Sequence, residues 1–237
     1  MKKLRVDVWS DIACPWCYVG KRRLEAALAR FPHRENVEVV WRAFELDPNA
    51  KRVLDSDIHY AERLAKKYGA SVPQAEGMIK RMVDVAADDG LDFHFEKIRP
   101  GNTLDAHRVL HLAAERGVQD AVKERLLRAY MTEGEAIGDR DTLARLAGEA
   151  GLDAGEVRAM LETDTFTREV RADEAEARAI GISGVPFFAF AGRYGVSGAQ
   201  PADVLERVLE EAWAETPETT ESEAFAEGAA CGPDGCA

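Results

Sequence analysis

Apolar and polar residues alternate along Leu4-Arg5-Val6-Asp7-Val8-Trp9, which predicts a first strand with one buried face. The period then changes. Leu24, Leu28 and Phe31 recur at helical spacing, so residues 18–31 read as a helix. Asn36-Val37-Glu38-Val39-Val40-Trp41-Arg42-Ala43-Phe44 reads as a second strand, and Leu46-Asp47-Pro48-Asn49 ends it. Two strands joined through a helix are expected to run parallel, in a right-handed β-α-β unit.

Between residues 56 and 180 the helical signals run almost without a break. Asp55, Ser56 or Asp57 can cap a helix that runs to Tyr68, with Gly69 after it. Ser71-Val72-Pro73-Gln74 has the form of a capping box and starts a helix towards Gly90. Residues 91–95 read as a short extended segment. Arg99-Pro100-Gly101-Asn102 breaks the chain, and Asn102 or Thr103 caps a helix ending near Arg116, with Gly117 beyond. Further helices are expected over 119–133, 142–150, 154–163 and 165–180, punctuated by Gly151 and Gly181. No fixed-period repeat is visible. Short helical hairpins cannot bury their apolar stripes alone, so these segments are expected to pack as one bundle over the sheet.

Strand signals return at Val185-Pro186-Phe187-Phe188-Ala189-Phe190. Ala191-Gly192-Arg193 makes a tight turn, and Tyr194-Gly195-Val196-Ser197 is the partner strand of a hairpin. Pro201 opens a final helix in which Val204, Leu205, Val208, Leu209 and Trp213 line one face. The order strand, helix, strand, helical stretch, hairpin, helix is that of an α/β thioredoxin-like fold with a large all-helical insertion. The expected organisation is a discontinuous thioredoxin-like domain over 1–50 and 182–214. A helical insertion spans 51–181, and an acidic tail spans 215–237.

Composition narrows the function classes. The chain has 237 residues, 46% of them hydrophobic, enough for a sizeable core. Its net charge of -12 argues against a nucleic-acid backbone as partner. Nothing approaches a membrane-spanning run. Lys2 and Lys3 imitate the start of a signal peptide, but Arg5, Asp7 and Asp11 interrupt what would be its apolar segment, so a cytoplasmic location is expected. Four cysteines in a cytoplasmic protein of this size point to catalysis or metal binding rather than to structural staples.

Cys14-Pro15-Trp16-Cys17 stands where the first strand hands over to the first helix. Pro15 suits the first helical turn, where one amide has no partner anyway. Cys14 then falls at the helix start, near the unpaired amides and the positive end of the dipole, which favours its thiolate. Cys17 lies one turn on, near enough to close a disulfide. A low-pKa nucleophile with a resolving partner three residues later is the apparatus of thiol–disulfide exchange. The competing readings are two buried structural cysteines and half of a zinc site. Trp16 is expected to flank the site.

Pro186 follows Gly184-Val185 at the start of a strand. Most X-Pro bonds are trans, and on composition alone that is the expectation. A cis bond would turn the Val185 backbone outward, where its amide and carbonyl would pair with an extended substrate as an added strand does. His107, His111 and Glu115 share one face of a helix at metal-ligand spacing, but lack the surrounding signature of a zinc enzyme, and polar or packing histidines are the better reading. Asp11 reads as a proton relay, a helix-side cap or a surface charge. A carboxylate beside a thiolate also raises the thiol pKa, so the two roles pull in opposite directions. Phe187, Phe188 and Phe190 read as core strand.

Cys14-Pro15-Trp16-Cys17, Asn102-Thr103 with Ala106-His107-Arg108, and Gly184-Val185-Pro186-Phe187-Phe188 together resemble the DsbA family of thioredoxin-fold oxidoreductases, and most closely its cytoplasmic FrnE branch. The resemblance spans residues 4–213. It implies that Cys14 attacks, that Cys17 resolves and that Pro186, opposite them, is cis. It extends to a second cysteine pair with four intervening residues near the C-terminus, as in that branch. One position departs: Trp16 stands where the periplasmic oxidants have a histidine that stabilises the thiolate. The family also contains glutathione-dependent isomerases and transferases with serine at the nucleophile position. On that alternative Asn102 and His107 face a small-molecule ligand.

The tail from residue 215 to 230 is acidic, rich in Thr, Glu and Ala, and reads as mobile. It ends in Cys231-Gly232-Pro233-Asp234-Gly235-Cys236-Ala237, where Pro-Asp-Gly is a turn signal that brings the cysteines together. A disulfide closing so short a loop stabilises little and suits redox cycling. The competing readings are adventitious oxidation and a zinc site made from all four cysteines. The expected protein is a cytoplasmic thiol–disulfide oxidoreductase or isomerase, with no cofactor or metal. Its expected partners are protein disulfides and thiols, with glutathione or a thioredoxin-type reductant to recycle it. The rival of a different class is a zinc-binding redox sensor without turnover.

Overall fold

The computed structural model describes residues 2–53 and 59–217. In chain order the elements are β1 (Leu4–Ser10), α1 (Pro15–Arg30), β2 (Val37–Ala43), α2 (Tyr60–Tyr68), α3 (Val72–Asp88), α4 (Leu104–Glu115), α5 (Gln119–Arg128), α6 (Arg140–Glu149), α7 (Ala154–Leu161) and α8 (Thr167–Ala179). They end with β3 (Phe187–Phe190), β4 (Tyr194–Ser197) and α9 (Ala202–Glu215).

The strands form one sheet in the order β2-β1-β3-β4. β1 and β2 are parallel, with Leu4 opposite Val37 and Ser10 opposite Ala43. β3 is antiparallel to β1, with Val8 opposite Phe188, and β4 completes the hairpin. The turn between them puts Ala191 at φ 51° and Gly192 at φ 64°, with Arg193 N–H donating to the Phe190 carbonyl at 3.0 Å. Two positive-φ residues give the turn whose twist matches a hairpin, and Gly192 takes its place there at no steric cost.

Alternation decides which face is buried. Leu4, Val6 and Val8 on β1 and Phe188 and Phe190 on β3 pack with Leu24 and Ala27 of α1 and Leu205 and Leu209 of α9. Each fully buried Leu or Phe there contributes roughly 1.5–3 kcal/mol. On the opposite face Trp9 meets Ala177 of α8 and Ile182. The helical segments share a second core that includes Val109, Leu112, Val122, Leu126, Leu143, Leu146 and Leu161. Ile12, Tyr18 and Val19 belong to that second core, so the start of α1 sits where the two cores meet.

The expected bundle covers the sheet only in part. It meets the sheet along the β2 edge through α5 and α8, and α8 also covers the Trp9 face. Edge strands need partners for their free backbone groups. Here side chains supply them. The Gln119 amide accepts from Trp41 N–H (3.0 Å) and donates to the Trp41 carbonyl (2.9 Å). Asp173 accepts from Ala43 N–H at 2.9 Å and Glu174 from Glu45 N–H at 3.3 Å.

The capping box is present: Gln74 N–H donates to Ser71 Oγ and Ser71 N–H to Gln74 Oε1. The caps proposed for α2 fall at 55–57, outside the described residues. The extended segment expected at 91–95 is not a strand. Leu91, Phe93 and Phe95 are buried as their alternation suggests, but they face helices, and Phe95–Lys97 forms a single 3-10 turn. The end of the predicted 119–133 helix widens into a π-turn over Ala129–Glu133.

Candidate active site

β1 ends at Ser10, and α1 begins at Pro15, after four intervening residues. Cys14 is the N-cap of α1, with extended φ and ψ of -96° and 113°, and Pro15 is its first helical residue. Cys14 N–H donates to the Asp11 carbonyl at 3.3 Å, and Cys17 N–H to the Cys14 carbonyl at 3.1 Å. Both cysteines are free thiols. Cys14 retains 5% exposure and Cys17 none, so an incoming disulfide reaches Cys14 first. Trp16 is 44% exposed beside it, a large apolar surface next to the more accessible sulfur of the pair.

Val185 and Pro186 face this pair. The Val185–Pro186 bond is cis, and Cys14 Sγ lies 3.6 Å from the Val185 carbonyl oxygen. Pro186 is buried and Val185 half-buried. The Pro186 carbonyl accepts from Gly198 N–H at 2.8 Å, which anchors the loop to the end of β4. On the other side Gly20 of α1 receives the Pro186 ring: a Cβ there would stand 2.9 Å from Pro186 Cγ and 3.2 Å from Phe188 Cζ.

The electrostatics differ from the expectation drawn from the helix start alone. In the reduced pair Cys14 holds its proton: donation to Cys17 and burial both push its pKa well up. For Cys17 burial opposes ionisation, but the hydrogen bond from Cys14 and the Lys123 ammonium outweigh it, and its pKa falls. The first ionisation belongs to the pair, stabilised from behind. Lys123, on α5, is completely buried. Burial pushes its pKa down to about 8, against the opposing pull of Cys17, Asp11 and Cys14. No reading of the cysteine motif pointed to it. The signal was present in Val122-Lys123-Glu124-Arg125-Leu126-Leu127, where a lysine occupies a position on the apolar stripe.

Asp11 is 1% exposed, so it is not a surface charge. It accepts from Leu46 N–H at 2.8 Å and Ala13 N–H at 3.4 Å, and ties the loop before Cys14 to the chain after β2. His107 Nε2 lies 3.4 Å from Asp11 Oδ1, off the line of a hydrogen bond. Burial opposes the Asp11 charge, but His107, the Leu46 amide and Thr103 hold its pKa below the ordinary value.

The other candidates disperse. His111 turns to Asp173 at 3.1 Å and stacks on Phe166, away from His107, and Glu115 is exposed. Among the described residues no group of three His, Cys, Asp or Glu side chains is placed to hold a metal ion. Asn102 is occupied structurally: its Oδ1 accepts from Leu104 N–H at 2.8 Å, and its Nδ2 donates to Glu45 at 3.1 Å and to the Pro48 carbonyl at 3.3 Å. Arg108 is buried and donates to Asp105 and to the carbonyls of Met160 and Thr165. Cys231 and Cys236 lie outside the described residues. A cavity of about 620 Å³ opens beside Asp11 and Ala13, walled by Thr103 and Tyr60 and lined by charges of both signs, Lys51 and Arg63 with Asp47 and Glu62. Burial pushes the Tyr60 phenol up to about 12, so it keeps its proton at neutral pH.

Comparison with known proteins places this arrangement. Among solved structures, a probable DsbA oxidoreductase from Streptomyces coelicolor is 47% identical, over 99% of this chain and 98% of that one, with a TM-score of 0.85. The cytosolic disulfide reductase DsbM from Pseudomonas aeruginosa shares the fold at 18% identity, over 87% and 97% of the two chains, with a TM-score of 0.59. The uncharacterized protein YwbO of Bacillus subtilis is 30% identical over 209 residues, 87% of this chain and 96% of that one. The DSBA-like thioredoxin domain matches residues 5–210, and with a strand-to-helix cysteine pair facing a cis-proline loop, the chain belongs to the DSBA-like thioredoxin domain family.

Proposed function

We propose that the protein is a cytoplasmic thiol–disulfide oxidoreductase acting on protein disulfides through Cys14-Pro15-Trp16-Cys17, as a relative of the FrnE disulfide isomerases. The observation that carries this reading is the Cys14 sulfur, capping α1 and 3.6 Å from the Val185 carbonyl, with Cys17 closed off behind it. A substrate strand laid along Val185 brings its disulfide to Cys14. Cys14 attacks one sulfur and forms a mixed disulfide. Resolution by Cys17 reduces the substrate, resolution by a substrate thiol isomerises it, and the reverse sequence oxidises it.

Cys231 and Cys236 serve as an auxiliary pair that exchanges electrons with Cys14–Cys17 or guards that site. Glutathione or a thioredoxin-type reductant restores the dithiol. The test is equilibration of Cys14–Cys17 against a glutathione buffer, followed by turnover on insulin and on a scrambled disulfide substrate. A pair that titrates and turns over supports the reading. Zinc binding that leaves no free thiol, with no turnover, replaces it with the sensor reading.

A second reading is favoured by the cavity beside Asp11, whose volume suits a small thiol and whose wall mixes Lys51, Arg63, Lys66 and Lys67 with Asp47 and Glu62. On that reading a glutathione-dependent small-molecule isomerase or transferase uses the same fold. Saturable glutathione binding without any disulfide exchange at Cys14 would favour it.

A further inference from the structure

Two lysines are buried against Trp41, with Nζ 5.9 Å (Lys21) and 5.5 Å (Lys123) from the ring centre. Lys21 is neutralised by Glu25, by Asp120 at 3.2 Å and by Glu124 at 3.3 Å. Lys123 is not. Among the described residues its one hydrogen bond goes to the Ser10 carbonyl, at 3.5 Å. A wholly buried ammonium without a carboxylate partner is costly, and lysine answers by shedding its proton. The Ser10 carbonyl and the Trp41 ring fix Lys123 at the end of β1, just before the loop that carries Asp11 into Cys14 and Cys17; Cys17, Asp11 and Cys14 hold its proton on, and Lys21, across the indole, repels it. On its own helix, Asp120 and Glu124 are turned to Lys21. Asp11 is already satisfied by the Leu46 and Ala13 amides. The charge that comes and goes beside Lys123 is therefore that of the cysteine pair.

We propose that Lys123 is the acid–base partner of Cys14–Cys17: an ammonium while the pair is reduced, and a neutral amine while it is a disulfide. The inference rests on reading the two cysteines as a redox pair. Once the pair has lost its first proton, the reduced protein holds one thiol proton, one thiolate and the Lys123 ammonium. As Cys14 attacks a substrate disulfide its proton passes to Cys17, the substrate S–S bond breaks, and the displaced thiolate is protonated at the expense of Lys123. The amine then accepts the proton of Cys17, which no solvent base reaches. The Cys17 thiolate attacks Cys14 Sγ, the mixed disulfide breaks, and the second substrate thiolate leaves and takes that proton. In sum two electrons and two protons pass to the substrate, one proton from the sulfur pair and one from Lys123. The protein is left as disulfide and neutral amine.

The test needs no client. The side-chain carbon and nitrogen signals of Lys123, assigned by their loss in Lys123→Met, are titrated in the full chain, once reduced with a phosphine and once oxidised. The expected result is a proton affinity at least about tenfold greater in the reduced form, since a buried thiolate beside an ammonium is worth that or more. Equal midpoints in the two forms, or an ammonium that persists in the disulfide form through the whole alkaline range, would overturn it. In reduced Lys123→Met the thiolate absorbance is expected to appear at least about tenfold lower in proton concentration, and an unmoved curve would count against the proposal. If that variant does not fold, the two wild-type titrations decide, with assignment by Lys123→Arg or by selective labelling. Failure of insulin turnover with redox-linked Lys123 titration intact would sink the client reading and leave this inference standing.

Discussion

A Cβ atom on Gly20 would stand 2.9 Å from Cγ of Pro186, closer than such contacts occur without movement. Gly20 thus sets how near the Pro186 loop comes to α1, and through it the 3.6 Å approach of the Val185 carbonyl to Cys14. Alanine gains roughly 0.5–1 kcal/mol over glycine inside a helix. Overpacking costs roughly 1–3 kcal/mol, and the neighbour here is a rigid ring backed by Phe188 and anchored through Gly198. The second effect wins. Gly20→Ala is expected to destabilise the protein by about 1 kcal/mol and to slow disulfide exchange. Chemical denaturation and insulin reduction check the two halves separately. Unchanged values in both would mean that the loop gives way freely.

Much of this was legible in the chain. Alternation located β1, and the Ala191-Gly192 turn located the hairpin, because both are local consequences of pleat and backbone sterics. The Cys14-Pro15-Trp16-Cys17 stretch announced itself because strand, helix start and spacing coincide. What escaped was tertiary. Gly20 looks like any helical glycine until Pro186, far along the chain, is laid on it. Lys123 looks like a solvated charge until α5 is pressed against β2. Asp11 reads in the sequence as a relay, a cap or a surface charge, and beyond the local Ala13 N–H its carboxylate meets Leu46 N–H and His107, residues no local pattern joins to it.

The two cysteines are predicted to separate by role. Cys14→Ser abolishes reductase and isomerase activity, because Cys17 is closed off and no other nucleophile caps α1. Cys17→Ser retains attack but not resolution, so mixed disulfides accumulate. Mass spectrometry of adducts after mixing with a disulfide substrate reads both. Full activity in Cys14→Ser with Cys231 and Cys236 also replaced would remove the assignment.

Asp11→Asn is expected to cost about 1–3 kcal/mol at neutral pH, because one amide oxygen cannot accept from both Leu46 N–H and Ala13 N–H while the new NH₂ needs an acceptor. The wild-type carboxyl has its native pKa below the usual 3.8. Its contribution is therefore full above the ordinary carboxylate range and disappears as the pH falls through the lower native value. The stability gap between wild type and Asp11→Asn should shrink in acid. Urea melts at neutral pH and near pH 3 measure it, and a gap that widens in acid would contradict the sign.

Lys123 gives the opposite pH dependence. Its pKa falls from 10.5 in the open chain to about 8 in the folded, reduced protein. Below both values the proton is bound in either state, and the buried ammonium weighs against folding by about 3 kcal/mol. Between them the unfolded chain binds the proton and the native protein does not, so stability climbs as the pH rises from 8 towards 10.5. Lys123→Met keeps the length of the side chain, removes the charge and fills the same space. It is expected to be more stable than wild type at pH 7 by up to about 3 kcal/mol, with the advantage vanishing in the alkaline range. Denaturant melts of both reduced proteins from pH 7 to 10 check this, since groups common to the two largely cancel. A less stable Met variant would mean that Lys123 is held by partners stronger than the Ser10 carbonyl. A more stable but slower one is the signature of a charge kept in the core for its effect on Cys17 rather than for the fold.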